Sequence, residues 1–270
     1  MNIISNILSV KNTQSSCALI PFITAGFPDT DMTINTLYAL DQSGADIIEL
    51  GIPYADALAD GPIIQHASKV AIDKGVYIDQ VLDILQLVTN NLKAPIIVFT
   101  YYNPILVRGI NKFITEIAYS GAKGLIIPDL PIEETDYIVH LCNIHNLELV
   151  LFIAPTSSIN RITKILSKSP GCLYLVSSTG VTGTRDNINK DIIKLAKYIK
   201  SKTNKLIMLG FGISNINQVN EVSHWNIDGI VIGSAFIKLL SHNEDSMENI
   251  KNVESFCSNI KFSISNNKYI

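Results

Sequence analysis

The sequence has few cysteines, and their spacing does not suggest a disulfide framework or a redox motif. Cys17, Cys142, Cys172 and Cys257 lie far apart, and no C-x-x-C pair occurs among them. Small secreted proteins depend on dense cysteine pairing, whereas isolated cysteines are typical of proteins in reducing compartments. We therefore expect reduced, mostly buried thiols.

A metal site is also not indicated. The one cluster of ligand-type residues is "HLCNIH", which contains His140, Cys142 and His145. On a helix, with a rotation of about 100° per residue, these side chains would point in different directions instead of converging on one ion. We predict that the protein binds no metal.

The sequence lacks both an excess of positive charge and a long apolar run. The formal net charge is −3, so no broad basic surface is expected for nucleic acid or an anionic membrane. Apolar stretches such as "APIIVFTYYNPILV" are interrupted at Asn103-Pro104, short of the roughly 20 residues that a membrane helix needs. We interpret these stretches as core strands and expect no membrane span.

The first residues, "MNIISNILSVKN", carry neither the basic start of a secretory signal nor the Arg-rich pattern of a transit peptide. We therefore expect the protein to work where it is made, in the cytoplasm. Heavy use of Ile, Asn and Lys suggests an AT-rich genome, which leaves the plastid stroma as the alternative if the chain is plastid-encoded.

The sequence does contain a regular alternation of apolar runs and amphipathic segments. Runs rich in Ile, Leu and Val predict eight strands, near residues 17–25, 45–51, 95–101, 122–128, 147–154, 171–177, 204–210 and 228–233. Segments between them, such as "YIDQVLDILQLVTNN", have apolar residues three and four positions apart and predict helices. Eight strand–helix units with fully apolar strands predict a parallel (β/α)8 TIM barrel.

No break in composition divides the chain, so we predict a single domain over residues 1–270. An open doubly wound sheet is the competing fold, but no G-x-G-x-x-G follows the first strand. Two helices exceed the barrel repeat. One opens the chain near residues 2–10, and the other, "IIQHASKVAIDKG", is inserted after strand 2.

An acidic residue interrupts the apolar strand 2, "IIELG". Glu49 lies near the carboxyl end of this strand, where TIM barrels place their chemistry. Side chains alternate along a strand, so Glu49 faces the barrel mouth if Ile48 and Leu50 pack against the helices. Burial would raise the pKa of this carboxyl group and suit it to general acid–base catalysis.

Asp60 lies in the loop that follows and forms a candidate acid pair with Glu49. Two carboxyl groups in different environments have separate pKa values, which lets one site hold both an acid and a base. Asp56, in the same loop, is assigned to loop structure or partner contact.

Glycines follow three of the later strands, in "SSTGVTGTRDN", "GFGISN" and "GSAF". Backbone N–H groups at such strand ends form the phosphate sites of many TIM barrels. We predict a phosphate site formed by Gly183, Gly212, Gly233 and Ser234. The stretch 177–185 is predicted to close as a lid.

Large apolar side chains at or near the strand ends predict a flat pocket between the acids and the phosphate site. The candidates are Phe22, Phe99, Tyr101, Ile126, Phe152, Tyr174 and Phe211. For any one of them, ordinary core packing is the competing interpretation.

Four motifs occur in this order at predicted strand ends: "IELGIPYADALADGPIIQ", "PDLPIEE", "STGVTG" and "GFGIS". With them the chain resembles the α subunit of tryptophan synthase from about Ile3 to Leu240. The resemblance implies retro-aldol cleavage of indole-3-glycerol phosphate to indole and glyceraldehyde 3-phosphate. It implies that Glu49 protonates C3 of the indole ring, that Asp60 assists at the indole nitrogen, and that Thr182 closes over Asp60.

The resemblance also implies a partner and no cofactor in this chain. The partner is a β subunit that uses pyridoxal phosphate and receives indole through a tunnel in an α2β2 heterotetramer. The loop from Ile52 to Pro62 and the lid would be its docking surface. This chain has Ala55 and Ala57 where the family usually has a hydroxyl residue and often proline, so we expect differences in the order of this loop.

Two alternatives remain open. Ribulose-phosphate 3-epimerase and indole-glycerol-phosphate synthase share the phosphate site, but the first would need metal-binding histidines at strand ends and the second catalytic lysines. A barrel that binds the ligand and only activates a partner fits every feature except the acid pair.

Overall fold

The structure is a computed structural model that describes residues 2–14, 16–176, 191–210, 212–241 and 245–266. Within these residues, eight parallel strands form a closed barrel in which each strand pairs with the next and β8 pairs with β1. The strands are β1 (Ala18–Thr24), β2 (Ile48–Gly51), β3 (Ile96–Phe99), β4 (Gly124–Ile126), β5 (Glu148–Ile153), β6 (Cys172–Val176), β7 (Leu206–Gly210) and β8 (Gly229–Ile232). The predicted strands and the predicted TIM barrel are confirmed.

Amphipathic helices cover the outside of the barrel. In the described ranges they are α1 (Ile3–Thr13), α2 (Thr30–Gln42), α3 (Pro62–Asp73), α4 (Ile78–Val88), α5 (Tyr102–Arg108), α6 (Ile110–Tyr119), α7 (Thr135–Ile144), α8 (Ile159–Lys168), α9 (Asp191–Lys202), α10 (Ile216–Ser223), α11 (Ser234–Leu240) and α12 (Ser246–Asn266). Helix α4 is representative: Val81, Leu85 and Val88 are buried, whereas Asp83 and Gln86 on the opposite face are exposed. The apolar stripe is what holds such a helix against the sheet.

Helices α1, α3 and α5 are additional to a simple repeat of one helix after each strand. The predicted opening helix is α1, and the predicted inserted helix after strand 2 is α3. The interpretation of "PILV" as strand was wrong, because this segment belongs to α5. Pro104 lies in the first turn of α5, where a missing N–H costs no intrahelical hydrogen bond.

Helix α1 crosses the amino-terminal end of the barrel, and three of its polar side chains contact carboxylates there. Lys11 pairs with Asp46 at 2.9 Å, Ser5 donates to Glu148, and Asn12 donates to Asp228. Each of these acids lies at or just before the start of a strand. The amino-terminal end of the barrel is therefore closed by a polar network.

All four cysteines are buried free thiols, as expected. No helix in the described ranges combines the length and apolar character that crossing a membrane requires. That residues 1–270 form one domain stays a prediction.

Candidate active site

Glu49 lies on β2, at the carboxyl end of the barrel. In the sheet it is paired with Phe22 on β1 and Ile97 on β3. Its side chain is 1% exposed, and Oε1 has no hydrogen-bond partner among the described residues. Burial without compensating charge raises the pKa of Glu49 to about 8, since desolvation disfavours the ionised form.

Asp60 lies in the loop between β2 and α3 and is 4% exposed. Burial raises the pKa of Asp60 to about 6, although a hydrogen bond from Tyr101 acts in the opposite direction. That bond joins the Tyr101 hydroxyl to Oδ2 of Asp60 at 2.9 Å. The two acids thus have different pKa values, both above those of ordinary carboxyl groups.

The loop that carries Asp60 is held at several points. Gln65, in the first turns of α3, donates from Nε2 to the carbonyl oxygens of Ala57 at 3.1 Å and Asp60 at 3.0 Å. The Asp60 amide also donates to the Ala57 carbonyl at 3.1 Å. The alanines of this loop therefore do not leave its backbone unsupported.

Both acids line one cavity at the carboxyl end of the barrel, with about 460 Å³ of empty space including its open mouth. Its lining residues are Phe22, Glu49, Asp60, Ile64, Phe99, Tyr174, Gly212, Ile213, Ser214, Val231, Gly233 and Ser234. The rings of Phe22 and Phe99 meet edge to face with centroids 5.5 Å apart. The cavity therefore has an apolar wall beside the acids, as ligand sites commonly do.

Two glycines line the cavity at positions where a side chain is disfavoured. Gly212 has a φ of +87°, which side-chain-bearing residues rarely adopt. A Cβ at Gly233 would lie 3.2 Å from Cδ1 of Phe22. Gly233 also precedes the first turn of α11, where backbone N–H groups lack carbonyl partners within the helix.

Three predicted pocket residues are not among those that line this cavity. Tyr101 lies behind Asp60 and contacts its carboxylate. Phe152 stacks on Tyr174 with ring centroids 4.6 Å apart, and Ile126 is fully buried on β4. Thr182, Gly183, Phe211 and the predicted lid lie outside the described residues.

Four lining residues were not predicted. Val231 lies two positions before Gly233 on β8, so the alternation of side chains along a strand could have identified it. Ile213 and Ser214 directly follow Gly212 in the "GFGIS" motif. Ile64 belongs to α3, and no local pattern distinguishes it from the other apolar residues of that helix.

In the part of the chain that the structure describes, no three His, Cys, Asp or Glu side chains lie close enough together to bind a metal ion. Among the described residues, the groups that line the cavity include two carboxyl groups, the side chains of Tyr174, Ser214 and Ser234, aromatic surfaces and the backbone of two glycines.

The fold and the cavity define a TIM-barrel enzyme with its acids at the carboxyl ends of the strands. A family model described as tryptophan synthase alpha chain matches residues 8–265. A relative named tryptophan synthase alpha chain from Gracilaria tenuistipitata var. liui is 61% identical, over 98% of this chain and 97% of the relative. A second relative of the same name, from Antithamnion sp., is 58% identical, over 97% of this chain and 98% of the relative. The chain belongs to the tryptophan synthase alpha chain family.

Solved structures agree with this assignment. Tryptophan synthase subunit alpha from Legionella pneumophila str. Paris aligns with a TM-score of 0.89 and 28% identity, covering 98% of this chain and 99% of that chain. A chain of tryptophan synthase from Mycobacterium tuberculosis aligns with a TM-score of 0.87 and 27% identity, covering 96% of both chains.

The known reaction of this family is cleavage of indole-3-glycerol phosphate in tryptophan biosynthesis, and the chain is an enzyme subunit of this lyase. The function implied by the sequence motifs is confirmed, and the two other barrel enzymes are excluded. The family needs no cofactor in its α subunit and pairs with a β subunit.

Proposed function

We propose that Glu49 and Asp60 divide the acid–base work of indole-3-glycerol phosphate cleavage. The supporting observation is that both carboxyl groups line one cavity with pKa values of about 8 and about 6. Near pH 7 the first is largely protonated and the second largely ionised. An acid and an anion are what this cleavage requires.

In the first step, Glu49 donates its proton to C3 of the indole ring, and the ring becomes a cation with its charge at N1–H. The Asp60 carboxylate stabilises that cation through the N1–H group. The bond between C3 and the glycerol carbon then breaks, and its electron pair returns to the ring. The hydroxyl on that carbon becomes the aldehyde, and its proton returns to the Glu49 carboxylate, which restores the acid.

We assign the two ends of the substrate to two groups of residues that line the cavity. Phe22 and Phe99 provide the apolar surface for the indole ring. Gly212, Gly233 and Ser234 follow β7 and β8, where TIM barrels commonly bind phosphate. The roles of Gly183 and Thr182 stay predictions.

The substitution Glu49→Gln tests the assignment. It keeps the size of the side chain and removes the proton that C3 needs, so indole release should fall about 100-fold to 10,000-fold. Binding of a non-cleavable indole-alkyl phosphate should persist, because the phosphate and apolar contacts remain. Indole release is measured with and without a β subunit, and turnover at the unsubstituted rate would show that Glu49 is not the acid.

We propose that the β subunit docks beside the active site. A groove lined by Ile52, Pro53, Tyr54 and Val107, among others, lies between the loop after β2 and helix α5. Leu58 in the same loop is 83% exposed. Apolar side chains left in water next to a reaction site are typical of partner surfaces.

We propose an α2β2 assembly in which pyridoxal phosphate belongs to the β subunit and this chain uses no cofactor. We assign the protein to the cytoplasm, with the plastid stroma as the alternative. Its relatives include red-algal chains and one from the cyanobacterium Synechocystis sp., 45% identical over 98% of this chain.

A further inference from the structure

Tyr101 contacts the carboxylate of Asp60 and is not among the residues that line the cavity. We infer that Tyr101 is a positioning residue for Asp60, holding its carboxylate in the orientation and ionised form that the reaction uses. This inference rests on the proposed role of Asp60.

When Asp60 is ionised, the hydrogen bonds that the described residues make at the Tyr101 hydroxyl have one consistent arrangement. The Ala59 amide lies 3.1 Å from the hydroxyl oxygen and can only donate. The single hydroxyl proton is therefore free to go to Oδ2 of Asp60, 2.9 Å away. A donor to Oδ2 suits an ionised carboxylate and leaves Oδ1 as the oxygen for the indole N–H.

The ring of Tyr101 is fixed well enough to act as a support. Tyr101 is 3% exposed, and its ring packs against Phe99 and Tyr54 with centroids 6.2 Å and 5.3 Å away. The next amide, of Tyr102, donates to Asp129 at 2.8 Å and anchors the turn. Tyr101 thus ties the loop carrying Asp60 to the end of β3.

Titratable groups approach this pair from several elements. Glu49 on β2 and Tyr174 on β6 line the same cavity as Asp60, and Asp129 acts on Tyr101 from the loop after β4. Burial and the neighbouring carboxylates raise the pKa of Tyr101, so it remains a proton donor through the working pH range. Its hydrogen bond lowers the pKa of Asp60 against the effect of burial.

The substitution Tyr101→Phe tests the inference, because it removes the hydroxyl and keeps the ring. Loss of the hydrogen bond should raise the pKa of Asp60. The acid limb of kcat/KM against pH should therefore move up by about one pH unit. Activity should fall about tenfold on that limb and much less near pH 8. Tyr137→Phe removes a hydroxyl from an exposed tyrosine of α7, away from the cavity, and should leave the limb in place.

Tyr101→3-fluorotyrosine gives a second measurement with almost no change in shape. Fluorine makes the phenol a stronger donor, so the acid limb should move down. A limb that stays in place in both variants, or an activity loss of equal size at every pH, would overturn the inference. The variant Asp60→Asn distinguishes failure of this inference from failure of the proposed function. Full activity of Asp60→Asn would contradict the proposed role of Asp60. An inactive Asp60→Asn, together with unmoved acid limbs in both Tyr101 variants, would contradict only the inference about Tyr101.

Discussion

Two glutamates are buried on strands of this barrel, and their surroundings give them opposite roles. Glu148 accepts hydrogen bonds from the amide and hydroxyl of Ser5 and from the Cys172 amide. Glu49 is equally buried, but its Oε1 has no partner among the described residues. A fully bonded carboxylate stabilises the fold, whereas an unsatisfied one is costly and chemically available.

The cost of Glu49 should appear as a pH-dependent stability. Folding raises the pKa of Glu49 from its ordinary value of 4.5 to about 8. The folded state therefore binds more protons than the unfolded state in this window, and its free energy of unfolding falls as the pH rises. Glu49→Gln removes this loss. The difference in the free energy of unfolding between Glu49→Gln and the parent should grow by about 1.4 kcal/mol per pH unit across this window. The variant should therefore be more stable than the parent by a few kcal/mol at pH 9 and by little at pH 4.5.

Urea unfolding of Glu49→Gln at pH 4.5 and pH 9 measures this difference. Asp56→Asn, which neutralises an exposed acid of the following loop, is the control and should change stability by less than about 0.5 kcal/mol. An equal difference between Glu49→Gln and the parent at both pH values would contradict the argument.

At the scale of elements, α1 is stabilised through the carboxylates at the amino-terminal end of the barrel. Lys200 and Lys261 complete this network by pairing with Asp228 and Asp46, each at 2.5 Å. A side chain that covers the end of the barrel and also satisfies a buried carboxylate stabilises the fold more than an exposed ion pair does. Helix α1 is therefore part of the folded core.

Glu148→Ala should destabilise the protein by about 3 kcal/mol, because the buried amides of Ser5 and Cys172 lose their acceptor. Ser5→Ala should cost about 1 kcal/mol. The double variant should cost less than the two together, since the side chains share one interaction. Urea midpoints measure these effects, and strictly additive values would argue against the coupling. The kcat/KM of the folded variants should be unchanged, as these residues lie at the opposite end of the barrel.

For the whole molecule, reaction and stability are assigned to opposite ends of the barrel. The acids and the cavity lie at the carboxyl ends of the strands, together with the groove between the loop after β2 and helix α5. The network of α1 lies at the amino ends. TIM barrels generally show this division, which allows the loops that carry the active site to vary in sequence while the barrel remains stable.

The docking proposal can be tested with two equally exposed side chains. Val107, which lines the groove, is 82% exposed, and Tyr119 at the end of α6 is 83% exposed. Val107→Asp should weaken association with the β subunit about tenfold or more, because a charge would be desolvated at the interface. Tyr119→Asp should have no effect. Calorimetric titration with the β subunit measures the affinity of each variant. Equal affinities for the two variants would show that the interface lies elsewhere on the chain.

Local sequence patterns were sufficient to predict the barrel and to select the two acids that line its cavity. Strand and helix periodicity are local properties, so all eight strands could be predicted from runs of apolar residues. The positions of Glu49 and the later glycines at strand ends followed from the same periodicity. Helix α5 was missed because an apolar segment this short has no decisive period.

The surroundings of each functional group could not be predicted from the sequence, because they are set by residues that are distant along the chain. Glu49 and Glu148 look alike in sequence, and the donors that distinguish Glu148 include Ser5, 143 residues away along the chain. Tyr101 was predicted as pocket wall, but folding brings its hydroxyl to Asp60, 41 residues away. Burial and hydrogen bonding depend on such distant neighbours, so the pKa values and the roles that follow from them exist only in the folded molecule.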